Sequence, residues 1–254
     1  MHMIPEFTLF IFTTLAGIAA GAYLMGVAFP ISDTHERRPW LFPLAMLMLL
    51  GMGLIGCLGH LHRPERFLNA LWNPMAGITQ EAYLSILFGA VLAADLILRA
   101  AKGSSPWGLR LAGAIFGFLL TCVMGFAYAN TLGVAAWATP ATIPLFVVGD
   151  MAMGAVLWAA VKSGAHQSKG YRAATGAIEA LLALTLVAVA IHFSSLGLSA
   201  APFIAAIVLA PVAHTAALYA ARLRPAVWKD MLACVCVIAG VSVARYAFYA
   251  AYLG

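Results

Sequence analysis

The chain has 254 residues, 64% of them apolar and only 9% charged, with a formal net charge of +5. Soluble domains carry roughly a quarter charged residues, so this composition excludes a water-soluble globule of this length. It predicts an all-α polytopic membrane protein.

A bilayer core of roughly 30 Å requires about 20 helical residues to cross it. Cutting the chain at its polar and Pro/Gly breaks predicts eight such runs, at about 7–30, 40–61, 79–100, 108–129, 140–162, 173–193, 198–220 and 230–252. The first is too long for a cleavable signal peptide, and no Lys or Arg precedes it. The loops between runs are short, so residues 1–254 read as a single bundle of eight transmembrane helices. Small residues at close spacing, Gly17/Gly21, Gly53/Gly56/Gly59 and Gly113/Gly117, predict faces where helix backbones approach one another.

Cytoplasmic loops collect Lys and Arg. Arg37, Arg38, Arg99, Lys102, Arg110, Lys162, Lys169, Arg172, Arg222, Arg224 and Lys229 all fall in alternate loops, on one side. The other side holds only Arg63 and Arg66. Both termini are therefore expected to face outward, away from the cytoplasm. The basic balance follows from topology and does not call for a nucleic-acid partner.

Arg63 and Arg66 are thus exceptions on the outer face, and they sit in the densest polar interval of the chain. The interval Gly59-His60-Leu61-His62-Arg63-Pro64-Glu65-Arg66-Phe67-Leu68-Asn69 is followed by Gln80-Glu81. Ionisable groups at a membrane boundary mark a functional site by default. Pro64 pushes Arg63 out of helical geometry, which ends the second run and leaves His60 in its last turn. Glu81 opens the third run on the same side, and helices joined by one loop are usually neighbours. A histidine that titrates near neutrality exchanges one proton and a carboxylate relays it. Arginine adds fixed charge and hydrogen-bond donors for a carbonyl or anionic oxygen. This set suits a quinone head group, whose two-electron chemistry moves two protons. The blander alternative is that His60 and Glu81 only satisfy backbone groups at helix ends. His62, two residues from His60, is expected to face elsewhere, as a solvent-side loop residue.

Arg245 lies inside the eighth run, where an unpaired arginine costs roughly 2.5–3.5 kcal/mol. Its expected partner is the outer-side cluster. Tyr246, Tyr249 and Tyr252 follow it, equally suited to an interfacial belt and to pocket walls. Asp150 lies near the middle of the fifth run with no partner visible in sequence; a proton relay and a neutral, hydrogen-bonded Asp both fit. Asp95 and Glu179 are expected to reach the cytoplasmic interface.

Metal cofactors are not expected. Cys57, Cys122, Cys234 and Cys236 all lie in apolar runs, without a Cys-x-x-Cys motif. His192 and His214 differ in expected depth by roughly 15–20 Å at 1.5 Å per residue, too far apart to share a haem iron. Haem is therefore disfavoured, with His60 and His192 left as a pair whose geometry allows it.

The run His60-Leu61-x-x-Pro64-x-Arg66-x-x-Asn69 with Gln80-Glu81 resembles the membrane anchor subunit of bacterial dimethyl sulfoxide reductases. Tyr128-Ala129-Asn130-Thr131, Trp137 and Arg245-Tyr246-Ala247-Phe248-Tyr249 extend the likeness over nearly the whole chain. The resemblance implies eight helices with both termini outside, and menaquinol bound and oxidised near the periplasmic face. It implies electron transfer to a ferredoxin-like subunit with four 4Fe–4S clusters, and from there to a molybdopterin catalytic subunit in anaerobic respiration. His60, Arg66 and Glu81 match the family residues tied to quinol binding and proton handling; Arg63 and Arg245 join them as candidate head-group contacts. The chain departs from the family at His62, Arg63 and Glu65, where the best-known members have small or apolar residues. Two alternatives stand beside this reading: a quinone-binding anchor of a polysulfide- or nitrite-reductase complex, and a small transporter or proton channel.

Overall fold

A computed structural model describes residues 6–31, 38–60, 72–162, 164–216, 219 and 227–253, with residues 58–60, 227 and 253 described by backbone alone. Among these residues every regular element is helical. The main helices are α1 (Phe7–Ala28), α2 (Leu41–His60), α3 (Gly77–Lys102), α4 (Trp107–Ala129), α5 (Thr142–Val161), α6 (Lys169–Ser195), α7 (Ala201–Ile207) and α8 (Val227–Ala250). A π-helical segment, Val208–Val212, follows α7 directly, and residues 213–216 return to α-helix.

Among the described residues, six helices are long and apolar enough to cross a membrane: α1, α3, α4, α5, α6 and the Trp228–Ala250 part of α8. Leu41–Cys57 and Ala201–Ala216 are shorter apolar helices, in the places of the second and seventh expected runs. The chain is a polytopic all-α membrane protein.

α1 is the central helix. It packs against α2, α4 and α5 and also touches α8. Gly17 and Gly21 make this possible. A methyl group at Gly17 would overlap the Asp150 carboxylate, and Gly21 meets the backbone of α5 at Asp150 and Gly154. Without hydrophobic drive between helices in lipid, such close approach supplies the packing contacts that hold them. The predicted Gly113/Gly117 face behaves in the same way, with Gly117 against Ala20 of α1.

Most helix ends lack side-chain caps; Ser168 is an exception, its hydroxyl accepting the Tyr171 N–H at 3.3 Å. α3 stops at Gly103, whose φ of +75° and N–H bond to the Arg99 carbonyl close the helix in the left-handed conformation. Helix alternation brings the start of α1 and the end of α8 to one end of the bundle, here called the terminal end. Arg99, Lys102, Arg110, Lys162, Lys169, Arg172 and Lys229 gather at the opposite, basic end.

Candidate functional site

Glu81 lies in the second turn of α3 at the terminal end and is only 8% exposed. Its carboxylate is within electrostatic reach of Cys57 on α2, Tyr128 on α4 and Tyr249 on α8. The two phenols meet through their hydroxyls, and Tyr249 Oη lies 3.1 Å from Thr13 Oγ1 of α1. Tyr128 stacks on Phe146 at 5.1 Å and meets Trp137 edge-on at 5.4 Å. Trp137 is locked in turn, its indole N–H donating to the Phe248 carbonyl at 2.6 Å while its own carbonyl accepts from Thr142 at 2.7 Å. A rigid aromatic wall thus fixes the hydroxyl cluster beside Glu81.

Arg245 approaches the same cluster from below. It is fully buried, and its charge acts on Tyr249. Its Nη2 donates to Asp150 Oδ1 at 2.5 Å and to the Phe146 carbonyl at 3.2 Å; Nη1 donates to the Thr13 carbonyl at 2.8 Å. The guanidinium carbon sits 4.7 Å over the Phe146 ring, adding a cation–π contact. Sequence reasoning expected Arg245 to pair with the outer-side cluster and saw no partner for Asp150. In the structure each is the other's partner, because α5 and α8 pack side by side. Asp150 Oδ2 and Arg245 Nε have no protein partner.

Of the predicted site residues, the structure therefore brings Glu81 and Arg245 to a common point, Tyr249. His60 ends α2, but its side chain lies outside the described residues, as do Arg63 and Arg66 together with His62 and Glu65. Tyr128 and Thr13 escaped sequence reasoning as site residues, and Tyr249 stood open between interfacial belt and pocket wall. One usable signal was that Tyr249 follows Arg245 by four residues and so shares its helix face. Tyr246 and Tyr252, at 43% and 49% exposed, face outward, whereas Tyr249 is 0% exposed.

A cleft of about 600 Å³ also opens at the terminal end, lined by Phe10, Phe193, Pro202 and Tyr246 among others. Phe10 packs edge-on against both Tyr246 and Tyr249, so this apolar cleft adjoins the hydroxyl cluster.

Two further buried polar groups lie toward the basic end. Asp95 was expected at the interface but is fully buried, accepting from Tyr23 Oη at 2.9 Å, from Arg99 Nε at 2.8 Å and from Ser105. Glu179, also expected there, is 2% exposed and pairs with His214 Nδ1 at 2.5 Å. His192 lies elsewhere, with Nε2 3.0 Å from the Ala135 carbonyl, so the two histidines that sequence reasoning kept apart are separate. Beside His214 stands His166, in the loop before α6, with its Nε2 3.2 Å from Asp230 Oδ1. Burial, with His214 and Arg172 beside it, pushes the His166 imidazole down to about 4.

Because the folded state holds His166 neutral, the unfolded chain binds the extra proton between about pH 6.5 and 4. Stability contributed here is therefore complete above about pH 6.5 and lost as the pH falls toward 4. Thermal melting in detergent across that window should show the decline. His166→Asn should flatten it, and an unchanged slope in the variant would assign the decline to other groups.

Residues 1–207 match the family model described as DMSO reductase anchor subunit (DmsC). The match ends before α8, and so before Arg245. No curated protein matches the chain.

Proposed function

The chain belongs to the DMSO reductase anchor subunit family, and we propose that it binds menaquinol at the terminal end of the bundle and oxidises it. Menaquinol becomes menaquinone, and two electrons and two protons leave. The electrons pass to a partner iron–sulfur subunit with four clusters, which feeds a molybdopterin catalytic subunit. In this reading the chain crosses the inner membrane eight times with both termini periplasmic, which is what the gathering of Lys and Arg at the opposite end supports.

The observation that carries the proposal is that a buried carboxylate, Glu81, and a buried guanidinium, Arg245, both lie within electrostatic reach of one buried tyrosine hydroxyl, that of Tyr249. An apolar wall with a few convergent polar groups is the usual form of a small-molecule site. His60 accepts the first quinol proton, being the side chain whose ordinary pKa lies nearest neutrality. Arg66 and Arg63 polarise the quinone oxygen, Glu81 carries protons to the periplasm, and Tyr128 and Tyr249 form the hydrogen-bonded floor. Arg245 fixes Tyr249 electrostatically and ties the floor to α5 through Asp150.

The test is quinol-dependent reduction by the assembled complex. His60→Ala should abolish it while an artificial donor that reduces the catalytic subunit directly stays effective. Normal quinol oxidation in His60→Ala would move the proton acceptor elsewhere.

A further inference from the structure

We infer that a cleft beside α6 and the π-helical segment, toward the basic end, is a second head-group site that binds the neutral, hydroxyl-bearing ring of a lipid-soluble phenol through Glu179, which His214 backs. The site stands independently of quinol oxidation at the terminal end.

The cleft measures about 640 Å³, and Glu179, Ile207, Pro211, Val212, Thr215 and Tyr219 form part of its wall. Glu179 and His214 are almost wholly buried, 2.5 Å apart, yet Glu179 Oε2 and His214 Nε2 have no protein partner. Buried polar atoms are nearly always satisfied, and each exception calls for an explanation. A ligand hydroxyl that donates to Glu179, which lines the cleft, supplies one for the carboxylate.

The helix is shaped to present this pair. Val208–Val212 is π-helical and contains Pro211, which has no N–H to give to the helical ladder. One extra residue in a turn rotates everything after it by about 100°. That rotation sets which face His214 shows to α6. Single π turns recur at functional sites for this reason.

The chemistry of the wall selects the ligand. No Lys or Arg is among the described lining residues, and a carboxylate is, so a phosphate head group meets repulsion and no counter-charge. A neutral ring whose hydroxyl donates to the Glu179 carboxylate and accepts from Thr215 or Tyr219 suits this wall. The apolar remainder of the cleft suits the ring and its tail.

A second set of exchangeable groups lies behind the pair. The His166 ring is 6.0 Å from the His214 ring, its Nδ1 is also without a protein partner, and its Nε2 faces Asp230, whose side chain is partly exposed. A water between the unpartnered His214 and His166 nitrogens would link the two rings by hydrogen bonds and would let a hydroxyl proton held at Glu179 exchange with the aqueous side through His214, His166 and Asp230.

The experiment is photolabelling of the full chain in lipid nanodiscs with an azido-naphthol, mapped by mass spectrometry. Labels are expected within 176–183 and 207–216, displaced by excess unmodified naphthol. Ala180→Trp fills the cleft from an exposed position in its wall and leaves the Glu179–His214 pair in place; it should cut that labelling at least tenfold. Glu179→Gln should cut it by a similar factor, and Glu81→Gln should leave it unchanged. Labelling that excess naphthol does not displace, or that survives Ala180→Trp, overturns the site as mere partition into lipid. Equal displacement by an anionic phospholipid overturns the ligand class. Loss of cleft labelling in Glu81→Gln overturns the independence of the two sites.

Discussion

Asp150→Ala is expected to destabilise the protein by about 3–5 kcal/mol, the usual cost of leaving one member of a buried ion pair alone. Arg245 is fully buried, and Asp150 is the one carboxylate that the structure shows bonded to it. The two carbonyls of Thr13 and Phe146 and the ring of Phe146 would still surround the guanidinium, but none of them neutralises its charge. Arginine cannot shed a proton at any working pH, whereas a stranded aspartic acid can take one up and become neutral. The effect is therefore asymmetric: Arg245→Ala should cost clearly less than Asp150→Ala. Asp150→Asn, which keeps an acceptor for the same N–H, should fall between Asp150→Ala and the native protein. The double variant Asp150→Leu with Arg245→Met should recover much of the loss, since an apolar pair of similar volume is often as stable as a buried ion pair. Thermal melting of the purified chain in detergent measures all four. Equal melting of Asp150→Ala and Arg245→Ala would mean that the carbonyls and ring suffice for Arg245, and that the ion pair does not hold α5 to α8.

Glu81→Gln should lower quinol-dependent turnover at least about 100-fold, the low end of what a positioned acid or base contributes, while the complex still assembles. Glutamine keeps the size and hydrogen-bonding reach of glutamate but cannot carry a proton. Quinol yields its electrons readily only as its protons leave, so blocking the relay stops the cycle although the ring still binds. Affinity for a quinol-analogue inhibitor should accordingly change little. Tyr249→Phe retains the ring packed against Tyr128, Phe146 and Phe248 and removes the hydroxyl that joins Thr13 to the Glu81 side. Its turnover should fall between those of the native protein and Glu81→Gln. Native turnover in Glu81→Gln would remove this carboxylate from the proton path and leave Asp150 as the next acid to test.

Much of the helical plan was legible in the chain itself. Runs of about 20 apolar residues punctuated by Pro, Gly and charge must become helices in lipid, because no other open structure satisfies their backbone there. The predicted run at 108–129 is α4 at Trp107–Ala129, and that at 140–162 is α5 at Thr142–Val161. Gly17 and Gly21 were readable as a close-packing face for the same local reason. Sequence also required that Arg245 and Asp150 each find a partner, since neither charge is tolerated alone in an apolar bundle.

Which partner each found was decided only by tertiary structure. Arg245 and Asp150 are 95 residues apart and meet because α5 and α8 pack with one particular register, past Gly149, whose missing side chain leaves room near the guanidinium. Spacing placed Tyr249 on the Arg245 face, but only the rotation of α8 within the bundle buried it and left Tyr246 and Tyr252 turned outward. Glu179 and His214 became a pair through a π-helical turn that no hydropathy window detects. Hydropathy averages over a helical run and so reports that a segment is buried in lipid. A hydrogen bond or ion pair depends on helix rotation and register to within about an ångström, which arises only when the helices pack.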